Sequence, residues 1–264
     1  MKIMTFNLRV AVTTDPYVWE QRRDWAVELI REYNPDLIGT QEANTAMMDW
    51  LKERLHDEYD CYGVNRSKRS DNSEYCAIFV KRSRFTILRR GSFMLSETPD
   101  SIGSFGWDAH CERICSWVEL AAAGESEPVL RLLNTHLDHA GQTAREEGLK
   151  LIRARLAELN SDRRLPAVLV GDFNDTPESG LLEVLKGDEP LLSCYDRFTD
   201  EERAHALTFH DYKGGEKGSP IDYILFSPDI ECHETIIVRD LVQDGYPSDH
   251  YPVQSQLFIS ETSI

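Results

Sequence analysis

One order of features occurs twice in this chain. MTFNLR, at residues 4–9, leads into a helical stretch and then into PDLIGTQE; LLNTHLD, at residues 132–138, leads into a second helical stretch and then into PAVLVGDFN. Each copy reads strand, polar residue, helix, proline, apolar strand, glycine and polar group. An apolar strand must bury its face against another layer, and a helix between two such strands packs back onto them. The repeat therefore constrains the fold to two βαβ-like halves packed face to face. The fold class it predicts is α/β: a four-layer α/β/β/α sandwich with two central mixed β-sheets and the helices outside.

The spacing of apolar residues fills in the remaining elements. Strands are predicted over 3–10, 37–40, 75–80, 85–89, 116–121, 129–135, 167–170, 222–226, 234–239 and 252–259. Helices are predicted over 17–33, 44–56, 142–160 and 177–186; in the first, Trp25, Leu29 and Tyr33 recur at every fourth position and Asn34-Pro35 ends the run. With 264 residues, 41% of them hydrophobic, the chain can bury a large core, and it shows no linker or low-complexity segment, so 1–264 reads as a single domain. No apolar run approaches the length of a membrane span. The chain begins on the strand-like KIMTFNLRV without a charged-then-apolar leader, and its six cysteines form no CxxC pair. Reduced thiols in a cytoplasm are the expectation.

The formal net charge is -17. So acidic a surface repels a long phosphate backbone and disfavours nonspecific nucleic-acid binding. One stretch runs the other way. Between Arg66 and Arg90 stand Arg66, Lys68, Arg69, Lys81, Arg82, Arg84, Arg89 and Arg90 against Asp71 and Glu74. It reads either as a solvated edge hairpin or as a landing site for an anionic group.

Polar residues mark the ends of the apolar strands. Asn7 lies in TFNLR, Glu42 in GTQEA, His136 in NTHLDH, Asp172 and Asn174 in VGDFNDTP, Asp222 in PIDYILF, and Asp249-His250 in PSDHYPV. Along an extended backbone, Asp172 and Asn174 lean to the same face. GDFNDTP alone admits two readings: a carboxylate and an amide that orient a water and a substrate oxygen, or an Asx-type turn with a helix cap at Asp175 or Thr176. So many polar strand ends in one chain exceed what caps require. Two facing sheets would bring them to one edge, where ligand sites of layered α/β folds lie.

The ordered set N…QE…H…GDxN…D…SDH, from Asn7 to His250, resembles the endonuclease/exonuclease/phosphatase superfamily. The stretch GSFMLSETPDSIGSFGWDAHCERICSWVEL further resembles a bacterial branch of it. The resemblance implies hydrolysis of a phosphate mono- or diester by activated water, with Mg²⁺ or Mn²⁺. It implies Asn7, Glu42 and Asp249 as metal ligands, a set of hard oxygens that suits Mg²⁺. It implies Asp172 as the residue that orients or deprotonates the water and Asn174 as a hold on the water or a phosphoryl oxygen. His250 matches the phosphate-contacting histidine, Asp222 the carboxylate that orients it, and His136 a second histidine that donates to the phosphoryl group or the leaving oxygen.

Departures narrow the branch. Arg9 stands where apurinic/apyrimidinic endonucleases carry a metal-linked Asp, and the Trp and Arg of the inositol phosphatase motifs are missing from LVGDFNDTP and SPIDYIL. For the substrate, Arg113 is either a bidentate phosphate grip or one half of an ion pair with Glu112 or Asp108. Trp107, with Phe105, either stacks on a base or sugar or anchors its Gly-rich loop, and Tyr75 is a further candidate phosphate contact. Thr208-Phe209-His210 begins a loop that either flanks the site or forms a plain hairpin. The expected function is a metal-dependent phosphoesterase acting on a small or single-stranded substrate. A polynucleotide nuclease or deadenylase-like exonuclease is the alternative within enzymes, and a non-catalytic binding module the alternative outside them. A paired-carboxylate glycosidase has no use for the Asn-Glu pair or a phosphate-facing histidine.

Overall fold

The computed structural model describes residues 1–68, 73–187 and 189–260. Arg69 and Asp71 of the basic stretch lie outside these residues. Two mixed six-stranded sheets form the centre. The first is built from β1 (Lys2–Asn7), β2 (Leu37–Asn44), β3 (Tyr59–Tyr62), β4 (Glu74–Lys81), β11 (Ile230–Ile237) and β12 (Val253–Ile259), in the order β11-β12-β1-β2-β4-β3. The second is built from β5 (Phe85–Met94), β6 (Ile114–Ala122), β7 (Pro128–His136), β8 (Ala167–Asp172), β9 (Leu192–Ser193) and β10 (Asp222–Phe226), in the order β5-β6-β7-β8-β10-β9.

The repeated sequence order becomes a repeated topology. Helix α1 (Trp19–Tyr33) connects the parallel pair β1 and β2, and α3 (Gln142–Asn160) connects the parallel pair β7 and β8; the neighbours on either side are antiparallel. Trp25, Leu29 and Ile30 of α1 and Met47, Met48 and Leu51 of α2 (Thr45–Leu55) pack on Met4, Phe6, Ile38 and Phe79 of the first sheet. Leu149 and Ile152 of α3 pack with the second sheet, whose other face meets Ile3, Leu37, Ile78 and Val80. The helices are therefore outermost, as the apolar patterning requires.

A polar bridge crosses this otherwise apolar seam. Gln41 Nε2 donates to Asn134 Oδ1 (2.7 Å), and Asn134 Nδ2 donates to the Thr40 and Ala77 carbonyls (2.9 and 2.8 Å). All three side-chain bonds join one sheet to the other and satisfy the Asn134 amide at both ends, while the buried Gln41 Oε1 finds no partner among the described residues.

Element ends follow local chemistry. Asn34, with φ 50°, closes α1, and the Asn44 side chain caps α2 by accepting from Met47 N (3.0 Å). Strand β5 runs on to Met94, beyond the predicted 85–89. The helix predicted over 177–186 is instead two 3₁₀ turns, Pro177–Ser179 and Leu181–Leu185, because Gly180 between them has φ 83°. Strands β3 and β9 and helix α4 (Asp200–Ala204) were not predicted; the longest of these has 5 residues, too short for a periodic signal. Among the described residues no helix is long and apolar enough to cross a membrane. All six cysteines are free thiols.

Candidate active site

The polar strand ends meet at one edge of the sandwich. Pairing in register sets Asn7 beside Gln41 at the end of β1 and β2, and His136 beside Asp172 at the end of β7 and β8. Asp222, the first residue of β10, lies opposite Asp172. Asp249-His250 is held there by the Ser248 hydroxyl, which donates to the Asn7 carbonyl (2.7 Å). Of these, His136, Asp172, Asp249 and His250 border a cavity of about 460 Å³, together with Glu42 and Asn174.

Its floor is carboxylate. Asn7 Nδ2 donates to Glu42 Oε1 and to Asp172 Oδ2, both at 2.9 Å, and so ties the two sheets together. Glu42 Oε2 accepts from Val10 N (2.9 Å). Arg9 N donates to Asn7 Oδ1 (2.9 Å), which fixes the amide with its oxygen turned away from the carboxylates. Asn7 thus differs from the oxygen ligand expected of it: it clamps two carboxylates through its nitrogen. Burial raises Asp249, although His250 and Arg9 oppose this. Glu42 is lowered in spite of burial, because it accepts from Asn7 and Val10 and lies near His250 and Arg9. Arg9 itself bridges Asp15 (3.0 Å) and Asp249 (3.6 Å). Glu42, Asp172 and Asp249 offer hard carboxylate oxygens to one cavity, and ligand atoms of Glu42 and Asp172 lie within 4.8 Å of each other. They fit a divalent cation such as Mg²⁺.

Asp172 and His250 are both raised. Burial, reinforced by the charge of Asp222, pushes Asp172 up to about 7. Burial alone would lower His250, but Asp222, by charge and by a 2.9 Å hydrogen bond to Nδ1, raises it to about 10, with help from Asp172 and Asp249. His250 is therefore an imidazolium whose Nε2 stands 3.8 Å from Asp172 Oδ2. Asn174 has φ 51°, and its N donates to Asp172 Oδ1 (2.8 Å). The extended pairing of Asp172 and Asn174 is thus replaced by an Asx-type turn placed at the cavity. Asn174 Nδ2 donates to the Leu137 carbonyl (3.0 Å) and to His136 Nε2 (2.8 Å). The carbonyl can only accept, so the amide nitrogen faces both partners and His136 Nε2 is an acceptor. Burial, then the charges of Arg113, Arg66 and His250, hold His136 well below its usual range. A neutral His136 that accepts from Asn174 aims that amide; it does not present an Nε2 proton to a leaving oxygen, contrary to expectation.

The opposite wall is cationic. Arg113 is buried and pairs with Asp138 (3.3 Å) and His139 Nδ1 (2.9 Å), not with Glu112 or Asp108. Asp108 instead caps α3 through Ala144 N (2.7 Å). Asp138 is saturated: it accepts from the backbone N–H of His110, Ala140 and Gly141 as well as from Arg113. Burial opposes its charged form, but these bonds and Arg113 hold it far below the usual carboxylate range. Among the described residues, Arg113 Nη1 has no partner.

Two expected contacts lie elsewhere. Side chains alternate along β4, so Tyr75 joins Ala77 and Phe79 under the helices while Glu74 faces the cavity. Trp107 packs against the main core and its N donates to Glu97 (3.2 Å), so it anchors its loop. Of the basic stretch, Lys81, Arg82, Arg84 and Arg89 pair with acids away from the cavity, and Arg66 alone of the described members borders it; the expected edge hairpin does not form, because β4 and β5 belong to different sheets. Phe209 does flank the site, tilted over His250 at 5.0 Å. Asp138 and His139 were not singled out, and Arg66 and Glu74 were read only as members of the basic stretch. Strand alternation could have found Glu74; the others reach the site through loops.

The sequence profile of the Endonuclease/Exonuclease/phosphatase family matches residues 4–250. The structure is similar to the mannosyl-6-phosphatase Bt3783 of Bacteroides thetaiotaomicron, with 31% identity, a TM-score of 0.88 and coverage of 98% of this chain and 100% of that one. It is also similar to an endonuclease/exonuclease/phosphatase from Bacteroides vulgatus, with 30% identity, a TM-score of 0.86 and 98% of each chain covered. Carbon catabolite repressor protein 4 homolog 3 of Arabidopsis thaliana is 29% identical over 189 residues, which take in 69% of this chain and 39% of the plant protein.

Proposed function

This chain belongs to the endonuclease/exonuclease/phosphatase family, and from that premise we propose that it is a divalent-metal-dependent phosphoesterase that hydrolyses the phosphate monoester of a small polar molecule. One observation carries the reading. A single cavity sets a carboxylate floor, Glu42, Asp249 and Asp172, against cationic groups, Arg113 and the His250 imidazolium. At about 460 Å³ it has the size of a small-molecule site. The similarity to a mannosyl-6-phosphatase supports a small monoester, and the net charge of -17 supports it over a polynucleotide.

In this reading the substrate phosphate lies between floor and wall. Arg113 Nη1 and His250 Nε2–H take phosphoryl oxygens as charged donors. Asp172 accepts the proton of a water as its oxygen bonds to phosphorus and the ester P–O bond breaks, and the departing alkoxide takes up a proton from solvent. The Asn174 amide nitrogen is already committed to His136 and Leu137, so its carbonyl oxygen is what remains to orient that water. Asp222 keeps His250 charged and aimed. Glu42 and Asp249 would hold Mg²⁺ or Mn²⁺, which would supply Lewis-acid neutralisation of phosphoryl charge. The free thiols fit a reducing cytoplasm.

A nuclease reading draws on Phe209, 42% exposed at the cavity, where a base could stack. One experiment separates the two: turnover of phenyl phosphate, a hexose 6-phosphate, a mononucleotide, a single-stranded oligonucleotide and plasmid, with EDTA and after adding back Mg²⁺ or Mn²⁺. Small monoesters should turn over fastest, stop in EDTA and recover with metal. Full activity in EDTA would sink the metal requirement, and faster cleavage of oligonucleotide or plasmid than of every small ester would sink the substrate class.

A further inference from the structure

Arg66 and Glu74 take no part in the reaction described above, yet both border its cavity. The Asn65–Tyr75 bridge and the bond from Arg66 N to the Glu74 carbonyl (3.1 Å) set them side by side. Arg66 Nη2 lies 3.0 Å from Glu74 Oε2 and 3.8 Å from Cys111 Sγ. Their side chains are only 9% and 20% exposed, so the pair is held in place and largely desolvated.

The wall's other arginine–acid pair is built differently. Asp138 is enclosed, saturated by backbone N–H groups and absent from the cavity surface, so Arg113 meets a ligand as a cation alone. Arg66 and Glu74 both meet it. Together they are close to neutral, and a phosphate approaching Arg66 would also approach the Glu74 carboxylate. A hydroxyl suffers no such conflict, because it donates and accepts at once. A guanidinium fork beside a carboxylate offers both functions, and adjacent hydroxyls can use both.

We propose that Arg66 and Glu74 form a hydroxyl-reading subsite that selects phosphate monoesters of polyhydroxylated, sugar-like alcohols. This assignment rests on the monoesterase reading. Arg113 and the residues around Asp172 hold the phosphate end, and the Arg66–Glu74 pair holds the alcohol end. A phenyl ester lacks the matching groups and leaves the pair unsatisfied, which is how a polar site rejects an analogue without the hydroxyl.

The test compares kcat/KM for mannose 6-phosphate and phenyl phosphate in the wild type, Glu74→Gln and Arg66→Lys, each checked by thermal melting. Wild type should favour the sugar ester, and each variant should lower the ratio of the two by about 10–100-fold, the worth of one hydrogen bond to a charged group. Free mannose should inhibit phenyl phosphate hydrolysis by the wild type competitively, and more weakly in both variants. A merely structural pair would lower both esters together. Wild-type turnover with an unchanged ratio in folded variants, or no inhibition by mannose, overturns the subsite and leaves the monoesterase reading standing. No turnover of either ester by the wild type overturns both.

Discussion

The two crossover units, β1–α1–β2 and β7–α3–β8, share one plan and place different chemistry at its end. The first delivers Asn7 and Glu42, an amide clamped on a carboxylate that suits a cation. The second delivers His136 and Asp172, a neutral imidazole beside a carboxyl pushed up to about 7. Their glycines differ too. At Gly39 a Cβ would lie 2.3 Å from the Val170 side chain of the facing sheet, so this glycine lets the sheets approach. At Gly171, with φ 153°, a Cβ would lie 2.1 Å from the Thr135 carbonyl of the neighbouring strand, so this one lets β8 run close beside β7 just before Asp172. A repeated scaffold fixes where side chains converge; the residues at strand ends decide what each half contributes.

That division of labour can be broken most sharply at Asp172. Asp172→Asn keeps the shape and removes the proton acceptor, so single-turnover hydrolysis at saturating metal should fall by roughly 10²–10⁴-fold. Glu42→Gln should act chiefly by raising the Mg²⁺ concentration needed for half-maximal rate. If the two variants show the same defect, with Asp172→Asn fully active at high metal, the halves are not divided as described.

The glycines come next. Gly171→Ala meets backbone and a conformation that L-residues avoid, and should cost about 3 kcal/mol. Gly39→Ala meets side chains that can shift, and should cost nearer 2 kcal/mol. Urea melts that rank them the other way would show that inter-sheet packing, not backbone conformation, is the tighter constraint.

Asp138→Asn probes the wall in the same terms. The folded-state value of Asp138 lies below that of the unfolded chain, about 4. Its contribution is therefore present above that pH and lost as pH falls below it. The variant should be less stable than wild type by about 2 kcal/mol at neutral pH. The gap should narrow below the unfolded value; melts showing a gap independent of pH would rule out the carboxylate as its source. The smallest effect belongs to Tyr75→Phe. Its hydroxyl lies under the helices, 3.5 Å from Thr45 Oγ1, so rate and stability should change by no more than about 0.5 kcal/mol. A large loss of rate would put Tyr75 back at the site.

The sequence by itself determined the layers and the floor of the cavity. Strand and helix periodicities are local properties, and the strand-end residues Asn7, Glu42, His136, Asp172, Asp222 and His250 were legible because each sits where an apolar run stops. What each group does there was decided by contacts between segments far apart in the chain. Asn7 turns its nitrogen to the carboxylates because Arg9 N holds its oxygen, and His136 is an acceptor because Leu137 fixes the Asn174 amide. Arg113 has Asp138 for a partner instead of its neighbours Glu112 or Asp108, and one step of strand alternation put Glu74, not Tyr75, on the cavity. Hydrogen-bond direction, ion-pair choice and burial depend on which groups folding brings together, and no spacing along a chain encodes them.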